Sequence, residues 1–174
     1  MHNRQNESVS QHSYQTAIIA NALGLIDKEV FDLNTDANLA SSLALYHDAT
    51  EVLTGDMPTP VKYRSEAMRT AYSEAEKDAV EQLLSYLPLE LKSAYQKYLM
   101  PNENSREYQL VKFADKISAL IKCIEEVASG NNDFLAAKKT TVAVLDKITD
   151  KTVQYFLDNF VGAFSLNLDE LVGK

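Results

Sequence analysis

Apolar residues recur at helical spacing along almost the whole chain, and this periodicity restricts the fold more than any other feature of the sequence. The clearest stretch runs from Ser105 to about Ser129 and ends at a Gly-Asn pair. One side of it carries Leu110, Ala114, Ile117, Ile121 and Ile124. The alternation of β-branched and aromatic residues that is typical of strands is missing. The pattern therefore predicts an all-α fold, a single helical bundle of six or seven helices.

Caps, glycines and prolines divide this pattern into segments. The first helix is predicted from Ser8 or Ser10, where Ser8 and Gln11 have capping-box spacing, to Gly24. The second is predicted from Thr35–Asp36 to about Leu53, and a third follows the segment TGDMPTP and runs through about Tyr86. The later helices are predicted from Pro88 to before Pro101, from Ser105 to about Ser129, from Asp133 to Ile148 and from Lys151 to Phe164. The segment TGDMPTP should be extended, because each proline removes an N–H and disfavours helix at the preceding residue. No internal repeat or linker is evident, so we expect one domain over residues 1–174.

Charge and composition exclude several classes of function. The 174 residues contain 17 lysines and arginines against 25 aspartates and glutamates, a net charge of −8. A chain this acidic lacks the basic face of a nucleic-acid polymer binder or an anionic-membrane binder. No stretch approaches the roughly 18 apolar residues of a membrane span, and the N-terminus has no signal-peptide core. The single cysteine, Cys123, cannot form an intramolecular disulfide and lies in a helix-like apolar segment. We therefore predict a cytoplasmic protein with Cys123 buried.

The string HDATE places three titratable residues near one end of the second predicted helix. His47 continues the apolar stripe of Leu39 and Leu43, so it should face the core. Asp48 follows it directly, and Glu51 lies four residues after it, on the same side. Acidic residues are almost never fully buried unless they are paired or bind a metal. By itself the string is equally compatible with a core histidine beside acids at a solvated helix edge.

Two further residues favour a metal site. Asp115 shares a helical face with Ala114 and Ile121, so its carboxyl should point inward and need a partner. His12 lies one turn into the first predicted helix, seven residues before Ile19, although its spacing alone also fits an exposed histidine. Imidazole and carboxylate ligands from three helices would form a nitrogen and oxygen site that suits Mn, Fe, Co, Ni or Zn without choosing among them.

The order His12, His47-Asp48, Asp115 resembles the H…HD…D pattern of the HD-domain metal-dependent phosphohydrolases. Longer segments, SVSQHS, ALYHDATEVLTGDMPTPVKY and VKFADKISALIKCIEEVASGNN, closely resemble the bacterial HD-domain 5'-deoxynucleotidases. The similarity extends from about Asn3 to Leu171. Members of that family hydrolyse deoxyribonucleoside 5'-monophosphates to deoxynucleoside and phosphate. The resemblance implies a single HD domain, one divalent metal ion, this substrate class and a homodimer.

The resemblance also implies roles for individual residues around the metal. It makes His12, His47, Asp48 and Asp115 the metal ligands. It makes Glu51 a catalytic carboxylate near the attacking water, able to accept a proton from it or pass one to the leaving 5'-oxygen.

The family's substrate-binding stretch corresponds to Asp56, Met57, Pro58 and Thr59 in this chain. Asp56 is implied to approach the sugar, where a 2'-hydroxyl would be disfavoured. Lys62 follows this stretch and is a candidate neighbour of the phosphate, the alternative being a solvated surface lysine.

One departure from the family concerns the start of the chain. Family members carry a further helix upstream, with an Arg-Trp pair that orients the phosphate. This chain has no tryptophan, and Met1 stands 11 residues before His12. We therefore expect the upstream helix to be absent and phosphate positioning to be weakened, while metal binding persists.

Two alternative functions stay open at this point. The metal ligands are equally those of HD hydrolases that act on cyclic nucleotides, nucleoside triphosphates or guanosine tetraphosphate. A catalytically weak HD module that binds a nucleotide is the second alternative. The PTPVKY string and the short chain favour the monophosphatase.

Overall fold

A computed structural model describes residues 8–55, 57, 59–62, 64–166 and 170, apart from the side chains of residues 59 and 60. Within these residues the secondary structure is helical, which confirms the all-α prediction. The α-helices are α1 (Val9–Phe31), α2 (Ala37–Tyr46), α3 (Glu51–Thr54), α4 (Thr59–Lys62), α5 (Glu66–Ser85), α6 (Leu89–Leu99), α7 (Arg106–Ala128), α8 (Leu135–Leu145) and α9 (Lys151–Phe160). Short 3₁₀-helices span Asn132–Phe134 and Val161–Ser165. None of the described helices is long and apolar enough to cross a membrane.

The core forms where α1, α2 and α7 pack together, with α8 and α9 closing it. Leu23 of α1, Leu43 of α2 and Ile121 of α7 are buried in its centre. Cys123 is also buried, as predicted. Because the start of α1 lies beside the middle of α7 and its end beside the start of α7, these two helices run antiparallel. The site residues of α1 and α7 are thereby brought together.

An ion-pair network fixes the far end of the α1–α7 pair. Arg106, the first residue of α7, donates from Nε and Nη2 to the two carboxylate oxygens of Asp27 in α1, at 2.7 and 2.8 Å. Its Nη1 donates to Asp150, the N-cap of α9, at 2.5 Å. The Asp27 side chain is completely buried and also accepts from the hydroxyls of Thr35 and Thr152. One guanidinium therefore holds three helices in register.

The predicted end of the first helix at Gly24 is wrong, because α1 continues to Phe31. The capping box at its start, formed by Ser8 and Gln11, is confirmed. Gly24 instead serves a close approach between helices. A Cβ at this position would lie 2.6 Å from the Cα of Ala37, the first residue of α2. A glycine within a helical pattern is thus explained by packing and does not end the helix.

The second predicted helix is also wrong in its extent. α2 ends at Tyr46, residues 47–50 form turns, and α3 begins at Glu51. His47 and Asp48 consequently lie in a turn between two helices, and do not share one regular helix with Glu51. The turn redirects the chain at the point where its polar side chains gather.

The remaining boundaries differ in smaller ways. Thr59–Lys62 forms a helical turn where the sequence predicted an extended loop, with Pro60 in the first turn, where its missing N–H costs nothing. The helices Leu89–Leu99 and Arg106–Ala128 confirm the predicted segments, the latter with Ser105 as N-cap. The segment predicted as Asp133–Ile148 begins as a 3₁₀-helix and ends at Leu145, and the one predicted as Lys151–Phe164 ends its α-helical part at Phe160.

Candidate metal centre and active-site cavity

His12 enters the site from the first turn of α1. Ser8 caps this helix, so the turn is fixed just before the imidazole. The Nε2 of His12 lies 3.1 Å from Oδ1 of Asp115 and 3.6 Å from Oδ2 of Asp48. Residues from α1, from the turn after α2 and from α7 therefore meet at one imidazole.

His47 is the most buried group of the cluster, with a side chain that is 3% exposed. Its Nδ1 lies 2.6 Å from the carbonyl oxygen of Ala44, so Nδ1 carries the hydrogen and donates it to that carbonyl. The unprotonated Nε2 is then directed into the site. It is buried and has no hydrogen-bond partner among the described residues, although Oδ2 of Asp48 lies 3.0 Å away.

The three side chains His12, His47 and Asp115 each offer one ligand atom, and these atoms all lie within 4.8 Å of one another. The two imidazole rings are 5.3 Å apart and tilted by 49°. Asp48 completes the surroundings, because its Oδ2 approaches both Nε2 atoms. The structure thus brings the four predicted residues close together, while their role as metal ligands stays a prediction.

This donor set fits a divalent cation. A buried imidazole nitrogen without a hydrogen bond is unfavourable unless something accepts its lone pair. Two imidazole nitrogens and adjacent carboxylate oxygens form the mixed nitrogen and oxygen environment that divalent transition metals and zinc prefer. His12, His47 and Asp115, with Asp48 beside them, could hold one such ion.

Asp115 is anionic in this environment. Burial alone raises the pKa of its carboxyl, but the hydrogen bond with His12 and the nearby positive groups outweigh this, so that the pKa lies below its ordinary value. A deprotonated carboxylate is the form that binds a metal ion.

A second set of hydrogen bonds orients the imidazole of His12 from behind. The hydroxyl of Ser118, on α7, donates to Oε1 of Gln15 at 2.7 Å. The Ser118 oxygen lies 3.5 Å from Nδ1 of His12. With the hydroxyl hydrogen directed to Gln15, this oxygen is able to accept a hydrogen bond from Nδ1; in that tautomer Nε2, which here forms the hydrogen bond with Asp115, would carry no hydrogen and would be able to bind a metal ion. Both histidines thus present Nε2 to the same point.

A cavity of about 840 Å³ opens beside the candidate metal ligands. Its wall includes His12, Asp48 and Asp115, and it also includes Glu51 from the start of α3. The volume is within the range of small-molecule sites. Glu51 therefore borders the same cavity as the candidate ligands, and its catalytic role stays a prediction.

The predicted substrate residues are placed in part. Met57 and Lys62 line the cavity. The Nζ of Lys62 is paired with Oε1 of Glu76 at 2.9 Å. Asp56 and Pro58 lie outside the described residues, and so does the side chain of Thr59, which begins α4.

Several described residues of the site are not predicted from the sequence, among them Gln15, Tyr72, Lys112 and Ser118. Helical spacing could have indicated three of them, because Gln15 follows His12 by three positions and Lys112 and Ser118 flank Asp115 by three. Tyr72 lies on α5, remote in sequence from every ligand, and no local pattern brings it to the cavity.

Comparison with known proteins identifies the family. Residues 1–164 match the model of the family described as 5'-deoxynucleotidase YfbR-like. The chain belongs to this family. A relative from Shewanella oneidensis named 5'-deoxynucleotidase is 41% identical over 172 residues, which cover 98% of this chain and 88% of the relative. The 5'-deoxynucleotidase YfbR of Escherichia coli is 42% identical, with 98% of this chain and 86% of that protein covered.

A solved structure supports the same assignment. An HD-domain phosphohydrolase from Listeria innocua superimposes with a TM-score of 0.80 at 26% sequence identity, covering 94% of this chain and 79% of that one. The resemblance to HD-domain 5'-deoxynucleotidases stated from the sequence motifs is confirmed.

Proposed function

We propose that this protein is a metal-dependent 5'-deoxynucleotidase, which releases phosphate from deoxyribonucleoside 5'-monophosphates. The observation that carries the proposal is the convergence of two imidazole nitrogens and Asp115 within 4.8 Å at the wall of a nucleotide-sized cavity. The substrate class is supported by relatives named 5'-deoxynucleotidase that are 41–43% identical over 98% of the chain. The PTPVKY string favours the same class.

In this proposal His12, His47, Asp48 and Asp115 hold one divalent ion. Co, Mn, Zn, Fe and Ni all suit this ligand set, which does not select one of them. The bound ion would polarise the phosphoryl group and lower the pKa of a nearby water. The protein's own part is to hold the four side chains in position, through the Ala44 carbonyl behind His47 and the Ser118 hydroxyl behind His12.

Glu51 is proposed to move the proton. It lines the cavity together with Asp48 and Asp115, and its helix begins directly after the ligand-bearing turn. A carboxylate there could take a proton from the attacking water, or return one to the 5'-oxygen as the phosphate–oxygen bond breaks. General acid–base help of this kind contributes about 10²- to 10⁴-fold in rate.

The remaining substrate contacts are proposed from the family resemblance. Asp56, Met57, Pro58 and Thr59 would surround the sugar, with Asp56 disfavouring a 2'-hydroxyl. Lys62 would lie near the phosphate. The presence of Met57 and Lys62 in the cavity wall supports this arrangement.

A phosphate-release panel tests the function. The protein is loaded with Co²⁺ or Mn²⁺ and given dAMP, dTMP, dUMP and AMP, together with a nucleoside triphosphate, a cyclic nucleotide and guanosine tetraphosphate. We expect release from the deoxy monophosphates above AMP. Hydrolysis restricted to the other nucleotides would assign a different HD reaction. Metal binding with no hydrolysis of any nucleotide would favour a nucleotide-binding module.

Glu51→Gln tests the proton-transfer role. We expect the variant to bind metal like the parent and to lose about 10²- to 10⁴-fold in kcat, because the amide keeps the shape but cannot exchange a proton. Glu103→Gln, an exposed site in the segment before α7, serves as the matched control. Turnover of Glu51→Gln within about threefold of the parent would remove Glu51 from the mechanism.

Three further properties stay predictions: that residues 1–174 form a single HD domain, that the protein is a homodimer and that it is cytoplasmic. Light scattering coupled to size-exclusion chromatography tests the dimer, for which a monomer mass at micromolar concentration would be the contrary result.

A further inference from the structure

The cavity contains more positive charge than its acidic metal centre would suggest. Four lysines line it: Lys62, Lys112, Lys116 and Lys122. Three carboxylates line it as well, in a chain with a net charge of −8. One divalent ion offsets only part of that negative charge, and the proposed substrate brings a dianionic phosphate. A cation close to the ligands is therefore needed to make phosphate entry favourable.

Lys62 is already engaged. Its Nζ is 2.9 Å from Oε1 of Glu76 and 4.2 Å from the ring centre of Tyr72. An ammonium held between a carboxylate and an aromatic face has much of its charge compensated before any ligand arrives.

Two of the other lysines are placed unfavourably for a phosphate at the metal. The Nζ of Lys116 donates to the backbone carbonyl of Lys112 at 3.2 Å, so it folds back on its own helix. Lys122 lies seven residues beyond Asp115 on α7, which is about 10 Å along the helix axis.

Lys112, in contrast, is placed favourably for a phosphate at the metal. It precedes Asp115 by three residues on α7, so the two side chains project from the same face, about 4.5 Å apart along the axis. Among the residues that the structure describes, no carboxylate oxygen lies within 4.0 Å of its Nζ. Its Nζ lies 5.2 Å from the ring centre of Tyr108, which supports the side chain from the other side.

The charge of Lys112 is secure at neutral pH. Burial alone would lower the pKa of its ammonium, but Tyr108 and the carboxylates of Asp115 and Asp48 raise it above the ordinary lysine value. The group is therefore a cation at neutral pH in the wall of the same cavity as Asp115.

We propose that Lys112 binds the phosphate of the substrate, as a residue separate from the metal ligands and from Glu51. The assignment rests on the proposed function only for the identity of the substrate, because any phosphate monoester or free phosphate offers the same oxygens. An ammonium supplies three donors as a compact point charge, which suits the rotating oxygens of a terminal phosphate.

Inorganic phosphate, which is both a product and a probe, tests this without turnover. Its binding to the Mn²⁺-loaded protein is measured calorimetrically for the parent, Lys112→Met, Lys112→Arg and Lys97→Met. Lys97 is the matched control, because its Nζ also lies beside a tyrosine ring, 4.8 Å from the ring centre of Tyr98, but on α6 and away from the cavity wall. We expect Lys112→Met to bind phosphate about 10- to 100-fold more weakly, as for the loss of a charge-assisted hydrogen bond. Lys112→Arg should recover part of the loss, and Lys97→Met should stay within about twofold of the parent.

Two further readouts separate phosphate binding from a structural role. Manganese affinity, measured by chelator competition, should be unchanged in Lys112→Met. With dTMP as substrate, KM should rise by about the same factor as the phosphate dissociation constant while kcat changes little. Unchanged phosphate binding in Lys112→Met, or an equal loss of manganese affinity, would overturn the proposal.

The experiment also distinguishes failure of this proposal from failure of the proposed function. If the parent hydrolyses no deoxynucleotide yet Lys112→Met binds phosphate more weakly, the role of Lys112 is supported and the substrate assignment is wrong. If the parent hydrolyses dTMP and Lys112→Met matches it in KM and in phosphate binding, the role of Lys112 is wrong and the function is retained.

Discussion

Arg106→Met removes the guanidinium that joins α1, α7 and α9 while keeping an aliphatic side chain of similar length. In the native protein Asp27 accepts two hydrogen bonds from Arg106, at 2.7 and 2.8 Å, and its side chain is fully buried. After the substitution, only the hydroxyls of Thr35 and Thr152 remain among its described hydrogen-bond donors. A buried carboxylate would then have lost its counter-charge.

The magnitude follows from this burial. Removing one partner of a buried ion pair costs about 3–5 kcal/mol, because the remaining charge is left uncompensated. That is a large part of the roughly 5–15 kcal/mol that stabilises an ordinary domain. The matched control is Arg69→Met, since Arg69 pairs with Glu66 at 2.6 Å while their side chains are 58% and 75% exposed. A solvated pair of this kind contributes about 0–1 kcal/mol.

The effect should also depend on pH. Burial raises the pKa of both Asp27 and Asp150, but the hydrogen bonds and the charge of Arg106 lower it by more than burial raises it. Both carboxyls therefore have a pKa below the ordinary value in the folded protein. Their contribution to the free energy of unfolding is therefore present above the unfolded-state pKa, about 3.9, and is lost as the pH falls through the folded-state values. The difference between the parent and Arg106→Met should be largest at neutral pH and should narrow below about pH 4.

Urea unfolding followed by far-ultraviolet circular dichroism measures these free energies. We expect Arg106→Met to lose about 3–5 kcal/mol at pH 7 and Arg69→Met less than about 1 kcal/mol. Equal small losses in the two variants, or a loss in Arg106→Met that does not become smaller as the pH is lowered below about 4, would refute the account of the network.

Two further predictions concern the site and the helix packing. Ser118→Ala should weaken metal binding about 10- to 100-fold, because His12 loses the hydroxyl that faces its Nδ1. Chelator competition measures the metal affinity, with Ser13→Ala as the control because Ser13 is also buried. A metal affinity of Ser118→Ala equal to that of the parent would contradict the prediction. Gly24→Ala should lower the free energy of unfolding by about 1–3 kcal/mol, because the new Cβ would lie 2.6 Å from the backbone of Ala37. Urea unfolding of this variant should reveal the loss, and stability equal to the parent would mean that the two helices can separate at little cost.

The helical class could be predicted from the sequence because it depends on local periodicity, whereas the set of candidate ligands came from the resemblance to HD-domain phosphohydrolases. The inward face of α7 follows from spacing alone, and it carries both the buried Ile121 and the candidate ligand Asp115. His12 was predicted less firmly, since one turn of helix is compatible with an inward or an exposed side chain. Its partner Asp115 lies 103 residues away, and only the packing of α1 against α7 brings them together.

The errors have a common physical origin. Glycine is common at helix ends, which predicts an end at Gly24, but the glycine is required there by the close approach of Ala37 on another helix. The break at His47 was missed because the apolar spacing of four continues through it, while the backbone leaves the helix after Tyr46. Contacts between distant parts of the chain determine the helix boundaries at both positions, and the local sequence pattern does not reveal those contacts.

The measurement that tests the central claim most directly is phosphate release from dTMP by chelator-treated protein, followed as Co²⁺ or Mn²⁺ is added to the parent and to His47→Ala. The account predicts no release without metal, recovery that saturates near one equivalent per chain in the parent, and little recovery in His47→Ala, whose Nε2 is the buried ligand atom without a hydrogen bond. Release from the parent that is independent of metal, or full recovery in His47→Ala, would contradict the claim that this cluster is the metal centre of a phosphohydrolase.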